Sequence, residues 1–253
     1  MSRFEGKTVI IAGGGGAIGR ASAVRLAAEG ARVVCLDIAE TREESARLAS
    51  ESGAAAGGSG HALALDAVDP ENVKAVFAEA ISRFGPVEAL VNSIGFGSSA
   101  KALEVGEGEL EHMFDLNLKS VYRCSWAVLP HMRDRRSGKI VNLSSVSGRT
   151  SSEIEGPHVS SSKAAVIGLT RQLAHEFGSF NINVNVVAPG LVATERVLAQ
   201  IGGERRASIE AATPLGRIGT PEEMAGVVAF IASEDARHIT GATIDVNGGL
   251  FLA

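Results

Sequence analysis

The sequence predicts an α/β protein in which a doubly wound, seven-stranded parallel sheet carries helices on both faces. Short stretches rich in Val and Ile alternate with longer segments of helical period along the whole chain, which is typical of successive β-α-β units. The length of 253 residues, of which 45% are apolar, is sufficient for one large α/β domain. A glycine-rich turn also follows the first apolar stretch directly, as it does in nucleotide-binding sheets.

Each strand is predicted from a run of β-branched and apolar residues bounded by turn residues. The seven expected strands are Thr8 to Ala12, Arg32 to Asp37, Ala62 to Asp66, Ala89 to Asn92, Lys139 to Leu143, Asn183 to Ala188 and Thr243 to Val246.

The helices between the strands are predicted from their period and from local start signals. Asp69-Pro70 and Thr220-Pro221 each place a capping side chain before a proline, and Glu223 completes a capping box with Thr220. The low-complexity stretch from Gly53 to Gly60 is expected to form a flexible surface loop. Because no Pro-rich linker or change in composition divides the chain, residues 1–253 are expected to form a single dinucleotide-binding domain.

Composition excludes several function classes. The 24 Lys and Arg against 29 Asp and Glu give a net charge of −5 without a basic block, which argues against a nucleic-acid partner. The charged N-terminus does not resemble a secretory signal, and no apolar run approaches the roughly 20 residues that a bilayer span needs. We therefore expect a cytoplasmic protein with no membrane association.

The cysteine and tyrosine counts are also informative. Cys35 and Cys124 each lie in an apolar stretch far apart, so both are expected to be buried free thiols, and no Cys/His cluster suggests a metal site. The chain contains a single tyrosine, Tyr122.

The turn after the first strand has the chemistry of a dinucleotide site. Its residues Gly13, Gly16, Ala17, Ile18 and Gly19 are small apart from Ile18, and they allow main-chain N–H groups to approach a pyrophosphate at the start of a helix, as in a Rossmann-type sheet. Asp37 follows Gly19 by 18 residues and ends the second strand. A carboxylate there accepts hydrogen bonds from ribose hydroxyls and repels a 2′-phosphate, which favours NAD over NADP as the cofactor, with Arg20 as the one nearby cation against it.

These residues and several later motifs resemble the short-chain dehydrogenase/reductase family, in its form of about 250 residues. The family's T-G-x-x-x-G-I-G motif is present with Ala12 and Ala17 in place of Thr and Gly, and its N-N-A-G motif reads Asn92-Ser93-Ile94-Gly95, where Ile94 adds bulk. The resemblance assigns further cofactor-binding and catalytic positions along the chain. These are Asp66 and Ala67 at the adenine, Asn117 and Ser145 in the active site, and Pro189, Gly190, Val192 and Thr194 at the nicotinamide amide.

The family's Y-x-x-x-K pair is incomplete in this chain. Lys163 matches the lysine of this motif, and the resemblance implies that it binds the nicotinamide ribose. Val159 occupies the tyrosine position four residues earlier and has no titratable proton. Tyr122 falls where the family has an aromatic packing residue. Because the loop from Ser145 to Val159 is one residue longer than expected, His158 is one candidate for the acid/base role. Direct donation by Ser144 or Ser145, and a water held by Lys163 and Asn117, are the alternatives.

Two readings of function therefore compete at this stage. The first is an NAD(H)-dependent oxidoreductase that interconverts a secondary alcohol and a ketone on a small, mainly apolar substrate with an atypical proton donor. The second is a catalytically impaired NAD-binding relative that acts as a sensor or partner subunit, and a Tyr-independent enoyl or dienoyl reductase is a further alternative. The resemblance also implies a homotetramer. Arg149 and Lys101 are candidates to pair with a substrate carboxylate, although a solvated loop charge explains either one.

Overall fold

A computed structural model of the protein describes residues 2–38 and 40–253. Its seven strands form one parallel sheet in the order β3-β2-β1-β4-β5-β6-β7, which confirms the predicted fold class. The strands are β1 (Thr8–Ala12), β2 (Arg32–Asp37), β3 (Ser59–Ala64), β4 (Val87–Asn92), β5 (Gly138–Leu143), β6 (Ile182–Pro189) and β7 (Thr243–Val246). Three of them, β1, β2 and β7, have the predicted bounds.

The helices pack on both faces of this sheet. They are α1 (Ala17–Ala28), α2 (Thr41–Gly53), α3 (Pro70–Phe84), α4 (Glu107–Phe114), α5 (Ser120–Arg135), α6 (Pro157–Phe177), α7 (Glu195–Gln200), α8 (Gly203–Ala212) and α9 (Pro221–Ile231). One buried apolar cluster joins the sheet to α3, α5 and α6, and a second joins it to α1, α2 and α9. Alternate residues of each strand supply the two clusters, because successive side chains of a strand point to opposite faces.

The predicted helix starts are confirmed. Asp69 accepts hydrogen bonds from the main-chain N–H of Glu71 and Asn72, and Thr220 forms the expected capping box with Glu223. These caps satisfy N–H groups that have no acceptor within the helix.

The stretch from Gly53 to Gly60 differs from the predicted flexible loop. Gly53 ends α2, a short 3-10 turn spans Ala54–Ala56, and Gly60 lies within β3, which therefore starts three residues earlier than predicted. A Cβ on Gly58 would overlap the carbonyl oxygen of Ala27, and one on Gly60 would overlap that of Ala46. The glycines thus allow β3 and the segment before it to pack closely against α1 and α2. Composition alone does not show whether a glycine-rich stretch packs closely or is flexible.

Two further expectations concern cysteines and membranes. Cys35 and Cys124 are buried free thiols, as predicted, and burial raises the pKa of each to about 12. Within residues 2–38 and 40–253, no helix combines the length and apolarity that a membrane crossing requires.

The strand order positions the functional site. From β1 the chain winds outward through β2 to β3, and from β4 it winds the other way to β7. The crevice at this reversal, outside the carboxyl ends of β1 and β4, is where open α/β sheets bind their ligands.

Candidate active site

The glycine turn after β1 is held in a conformation that larger residues cannot adopt. Gly13 has φ +84°, and a Cβ there would lie 2.6 Å from the carbonyl carbon of Ser93. A Cβ on Gly19 would overlap the carbonyl oxygen of Gly13. The turn therefore packs main chain against main chain at the β1/β4 crevice, and glycine is required at both positions.

Helix α1 begins at this turn without a side-chain cap. Gly16 is the N-cap residue and supplies no capping hydrogen bond. The N–H groups of Ala17, Ile18 and Gly19 therefore have no acceptor within the helix, since the first turn of any helix leaves its donors unpaired. Uncapped main-chain donors at the end of a glycine-rich turn fit the pyrophosphate of a dinucleotide.

Asp37 lies next to the same turn, at the end of β2. Its Oδ2 accepts a hydrogen bond of 3.0 Å from the main-chain N–H of Gly15. A Cβ on Gly15 would lie only 3.1 Å from that oxygen. The carboxylate is thus held at the edge of the glycine turn, and its contact with a ribose stays a prediction.

Asp66 and Ala67 lie in the connection between β3 and α3. Asp66 Oδ1 accepts a 2.9 Å hydrogen bond from the N–H of Val68, and its own N–H donates to Asn72 Oδ1 at 2.8 Å. Ala67 is buried. These hydrogen bonds fix Asp66 in the connection, and the adenine contact that the family resemblance assigns to Asp66 and Ala67 stays a prediction.

Asn92 ends β4 within a buried polar network. Its Nδ2 donates to Asn142 Oδ1 on β5 at 2.8 Å and to Ser125 Oγ on α5 at 3.2 Å. Asn142 in turn donates to Thr170 Oγ1 on α6 at 2.9 Å. The network joins the central strands to two helices and fixes the carboxyl end of β4.

Asn117 holds the segment that follows β4. It lies in a π-helical turn, Asp115–Lys119, between α4 and α5, and such turns are frequent at functional sites. Its Oδ1 accepts from the N–H of Phe96 at 2.7 Å, and its Nδ2 donates to the carbonyl of Phe96 and to Ser162 Oγ, each at 3.0 Å. Asn117 therefore clamps the 92–97 segment against α6.

Lys163 is the buried cation of the site. Its Nζ donates to the carbonyl of Leu143 at 3.3 Å, and a Cβ on Gly95 would lie 2.6 Å from this nitrogen. Burial lowers the pKa of Lys163 to about 8 and outweighs the opposing effect of the Glu155 carboxylate. Gly95 is thus the residue that leaves room for the ammonium group at the end of β5.

The two serines after β5 have different environments. Ser144 Oγ donates to the carbonyl of Lys163 at 2.8 Å, and this bond fixes α6 against the strand. Ser145 Oγ donates to Glu155 Oε2 at 3.2 Å and accepts from the N–H of Ser147 at the same distance. Ser145 is therefore the serine whose hydroxyl meets a titratable group.

Neither Glu155 nor Arg196 was identified as a site residue from the sequence. A Cβ on Gly97 would lie 3.3 Å from Glu155 Oε1 and 3.9 Å from the Arg196 guanidinium. That guanidinium also lies 4.6 Å from the centre of the Phe96 ring. The longer loop between Ser145 and Val159 was the signal available in the sequence, because it carries Glu155.

Val159 and His158 occupy different surroundings at the start of α6. Val159 is fully buried one helical turn before Lys163 and offers no polar side-chain atom. His158 is also buried, but its Nε2 lies 3.3 Å from Glu109 Oε1 on α4. The recorded polar contact of His158 is thus with α4 rather than with Ser145, and its acid/base role stays a prediction.

The segment after β6 is held in place by hydrogen bonds. Pro189 ends β6, and Gly190 donates its N–H to the carbonyl of Val246 at 3.0 Å. Val192 forms an isolated parallel bridge with Gly219, and Thr194 Oγ1 caps α7 by accepting from the N–H of Val197 at 3.2 Å. These contacts give the segment a fixed main-chain path.

Three side chains considered from the sequence have specific surface partners. Tyr122 is 45% exposed and stacks on Trp126, with ring centres 5.7 Å apart. Arg149 makes a two-point contact with Asp245 at 3.0 and 3.1 Å, so it is neither a solvated loop charge nor free for a substrate. Lys101 donates to the carbonyl of Glu153 at 3.2 Å.

Comparison with known proteins shows that the chain is similar to reductases. Residues 14–251 match the sequence model of the family described as enoyl-(acyl carrier protein) reductase. The chain is 37% identical over 249 residues to 3-oxoacyl-[acyl-carrier-protein] reductase FabG of Escherichia coli strain K12, covering 98% of this chain and 99% of that protein. It is also 37% identical over 246 residues to the short-chain reductase protein NovJ of Streptomyces niveus, covering 95% and 92%.

The fold matches solved structures equally well. The crystal structure of 3-oxoacyl-[acyl-carrier protein] reductase from Brucella melitensis superposes with a TM-score of 0.87 at 33% identity, covering 100% of this chain and 93% of that one. The sequence and structural matches each extend over nearly the whole chain.

Proposed function

Since the chain belongs to the short-chain dehydrogenase/reductase family of oxidoreductases, which use a nicotinamide cofactor, we propose that it interconverts a secondary alcohol and a ketone with NAD(H). The observation that carries this proposal is the buried Lys163 ammonium, which lies at the end of β5 beside Gly95. The Glu155 carboxylate, which accepts from the Ser145 hydroxyl, acts electrostatically on this ammonium group. A buried cation in the same site as a hydroxyl group suits a site where negative charge develops on a carbonyl oxygen.

Residues from both sides of the crevice would hold the dinucleotide. The amides of Ala17 to Gly19 would bind the pyrophosphate, Asp37 the adenosine ribose, and Lys163 the nicotinamide ribose. Asn92 fixes the end of β4 at the centre of the crevice, and the main chain from Pro189 to Thr194 would hold the nicotinamide amide. The bound cofactor supplies or accepts a hydride.

Asp37 supports NAD in preference to NADP. Its carboxylate is fixed by Gly15 at the turn, so a 2′-phosphate at this place would meet a negative charge at short range. A ribose with free hydroxyls would instead donate hydrogen bonds to the carboxylate.

The substrate is proposed to be small and mainly apolar. Phe96 is exposed on the segment after β4, and Leu198 is exposed on α7. Ile154 lies on the loop before α6. Such side chains provide apolar contact area around a few polar groups, as ligand pockets commonly do. We further propose one domain and a homotetramer, as the family resemblance implies.

Turnover tests the proposal directly. We expect the purified protein to bind NADH and to reduce members of a panel of small ketones, for example cyclohexanone and 2-octanone. Val159→Tyr should raise kcat by about 10-fold or more, since it places a titratable hydroxyl one turn before Lys163.

Val159→Phe is the matched control, because it adds nearly the same bulk without the hydroxyl. Equal activity in both variants would attribute any change to packing. NADH binding by the wild type without turnover of any ketone or alcohol would contradict the proposal.

Val159 itself favours a second candidate function, a dinucleotide-binding protein with little dehydrogenase activity. In that case the wild type would bind NADH without turnover, and Val159→Tyr would create activity in an otherwise competent site. A Tyr-independent reduction of a conjugated C=C bond is separated from both candidates by adding cyclohexenone to the panel and identifying which bond is reduced.

A further inference from the structure

We propose that Glu155 is the proton acceptor and donor of this active site, and that it exchanges the proton with the substrate through the hydroxyl of Ser145. The inference rests on the proposed function and deepens it, because it names the group that does the work for which Val159 has no side-chain atom.

Contact between the two side chains is the primary observation. Ser145 Oγ donates to Glu155 Oε2 at 3.2 Å. The same Oγ accepts from the N–H of Ser147 at 3.2 Å, which fixes the position of the hydroxyl. In the part of the chain that the structure describes, Glu155 is the only carboxylate recorded as bonded to Ser145.

The main chain around Glu155 is fixed on both sides. Its own N–H donates to Ser152 Oγ at 3.0 Å, and the next residue, Gly156, donates to the carbonyl of Ser98 at 2.8 Å. Its other carboxylate oxygen faces Gly97, where a Cβ would lie 3.3 Å away. The carboxylate is half-buried between the β4–α4 segment and the β5–α6 loop, and it is therefore both oriented and open to proton exchange with solvent.

The charged groups around Glu155 come from three elements. Lys163 lies on α6 and Arg196 on α7, and both face the space that Glu155 lines. On the α4 side, Nε2 of the buried His158 lies 3.3 Å from Glu109 Oε1, without a hydrogen bond between them. Opposite charges attract at this range, so the two cations help to hold the Glu155 carboxylate in place.

The chemistry balances as follows for alcohol oxidation. The substrate O–H proton passes to Ser145 Oγ while the serine's own proton passes to the Glu155 carboxylate. The C–H bond breaks with its electron pair leaving as hydride to the oxidised nicotinamide, and the C=O double bond forms. In the reverse direction the Glu155 carboxyl returns the proton through Ser145 to the oxygen as the carbonyl carbon gains the hydride, and solvent then reprotonates Glu155.

The central test compares Glu155→Gln with Glu153→Gln. Glu153 is an exposed glutamate on the same loop, so its amide variant is a matched control for the change in charge. We expect Glu155→Gln to lower kcat by about 100-fold or more with cyclohexanol and NAD, and to abolish the rise of kcat with pH on the acid side. NADH affinity, measured by fluorescence titration, should stay within about two-fold of wild type in both variants.

Two further measurements separate proton transfer from a structural role. In Glu155→Ala, added sodium formate should restore part of kcat, since a small carboxylate fills the space left by the side chain. In Glu155→Cys, a pre-bound NAD and cyclohexanol should slow iodoacetamide labelling of the new thiol, whereas labelling of Glu153→Cys should not change. The native thiols give little background, because both are buried and their pKa values are raised to about 12.

Several outcomes would overturn the inference. One is a Glu155→Gln variant that keeps kcat and the acid limb, and another is an acid limb that disappears in His158→Asn instead. Unprotected labelling of Glu155→Cys would place the side chain outside the substrate space, a result that does not depend on turnover. These outcomes are distinguishable from a failure of the proposed function, because the wild type would then turn over no ketone or alcohol, whereas the labelling test does not depend on turnover.

Discussion

The two halves of the crevice are built by different means. At the proposed dinucleotide half, main-chain contacts leave no room for a side chain at Gly13 and Gly19. At the substrate half, Ser145, Glu155 and Lys163 meet through side chains carried on a loop and a helix. Main-chain geometry tolerates few residue types, whereas the side-chain half can exchange one titratable group for another.

This difference explains where the sequence departs from the family pattern. Ala12 and Ala17 replace small residues with small residues at the turn. At the substrate half, Val159 removes the titratable group altogether, and the loop before it is one residue longer and carries Glu155. If the protein keeps its activity despite these changes, that activity depends on the chemistry of the replacing side chains. Substitutions at the substrate half are therefore the more informative ones.

The largest effect is expected from breaking the main-chain half. Gly13→Ala places a Cβ 2.6 Å from the carbonyl carbon of Ser93 at a residue with φ +84°. We expect a loss of about 3 kcal/mol or more in the free energy of unfolding, together with loss of NADH binding, because backbone cannot move aside cheaply. Urea unfolding and fluorescence titration measure the two effects.

Gly57→Ala is the control for this prediction. Gly57 also has a positive φ, +75°, but nothing lies within 4 Å of an added Cβ. Its substitution should cost about 1–2 kcal/mol from backbone strain alone and leave NADH binding intact. Equal losses in the two variants would show that the close approach to Ser93 has no energetic weight.

The next effect concerns cofactor choice at Asp37. Asp37→Ala removes both the negative charge and the acceptor for the Gly15 N–H, so we expect NADH affinity to fall about 10-fold and NADPH affinity to rise by a similar factor. Asp37→Asn keeps an acceptor oxygen and loses only the charge. It should therefore gain NADPH affinity as well, with a smaller loss for NADH.

Dissociation constants for both dinucleotides provide the measurement. A wild type that binds NADPH more tightly than NADH would contradict the assignment of Asp37 as the discriminating residue and would direct attention to Arg20.

Locally encoded features could be predicted from the sequence. The bounds of β1 and β2 and the caps at Asp69 and Thr220 follow from apolar period and from side chains that act within three residues. Gly13 and Asp37 could be singled out as candidates for dinucleotide binding because a glycine turn and a carboxylate at a fixed separation have few other uses together, and this role stays a prediction.

Contacts between distant segments could not be predicted in this way. Arg149 pairs with Asp245 across 96 residues of chain, and nothing local marks either partner. The Ser145–Glu155 bond spans ten residues, but it depends on how the longer loop folds back towards β5. Pattern and spacing identified His158 instead as the acid/base candidate. Spacing alone does not show which of two adjacent residues at a helix start faces the site, because the direction of each side chain must be known.

The smallest expected effect sharpens the side-chain half through Lys163. Burial lowers the pKa of Lys163 from 10.5 to about 8, so between these two pH values the lysine is protonated in the unfolded chain and neutral in the folded protein. The free energy of unfolding should therefore rise with pH across this window. Below about pH 8 the folded protein carries the cost of a buried ammonium, so Lys163→Met should raise Tm at pH 7 by about 2–5 °C and flatten the rise between pH 8 and 10.5. Thermal unfolding of the dinucleotide-free protein from pH 7 upwards measures both, with the exposed Lys74→Met as the control that should change neither. A lower Tm at pH 7 in Lys163→Met would contradict this prediction. It would show that neighbouring groups stabilise the ammonium by more than burial destabilises it. The site would then favour negative charge on a nearby oxygen before any substrate binds.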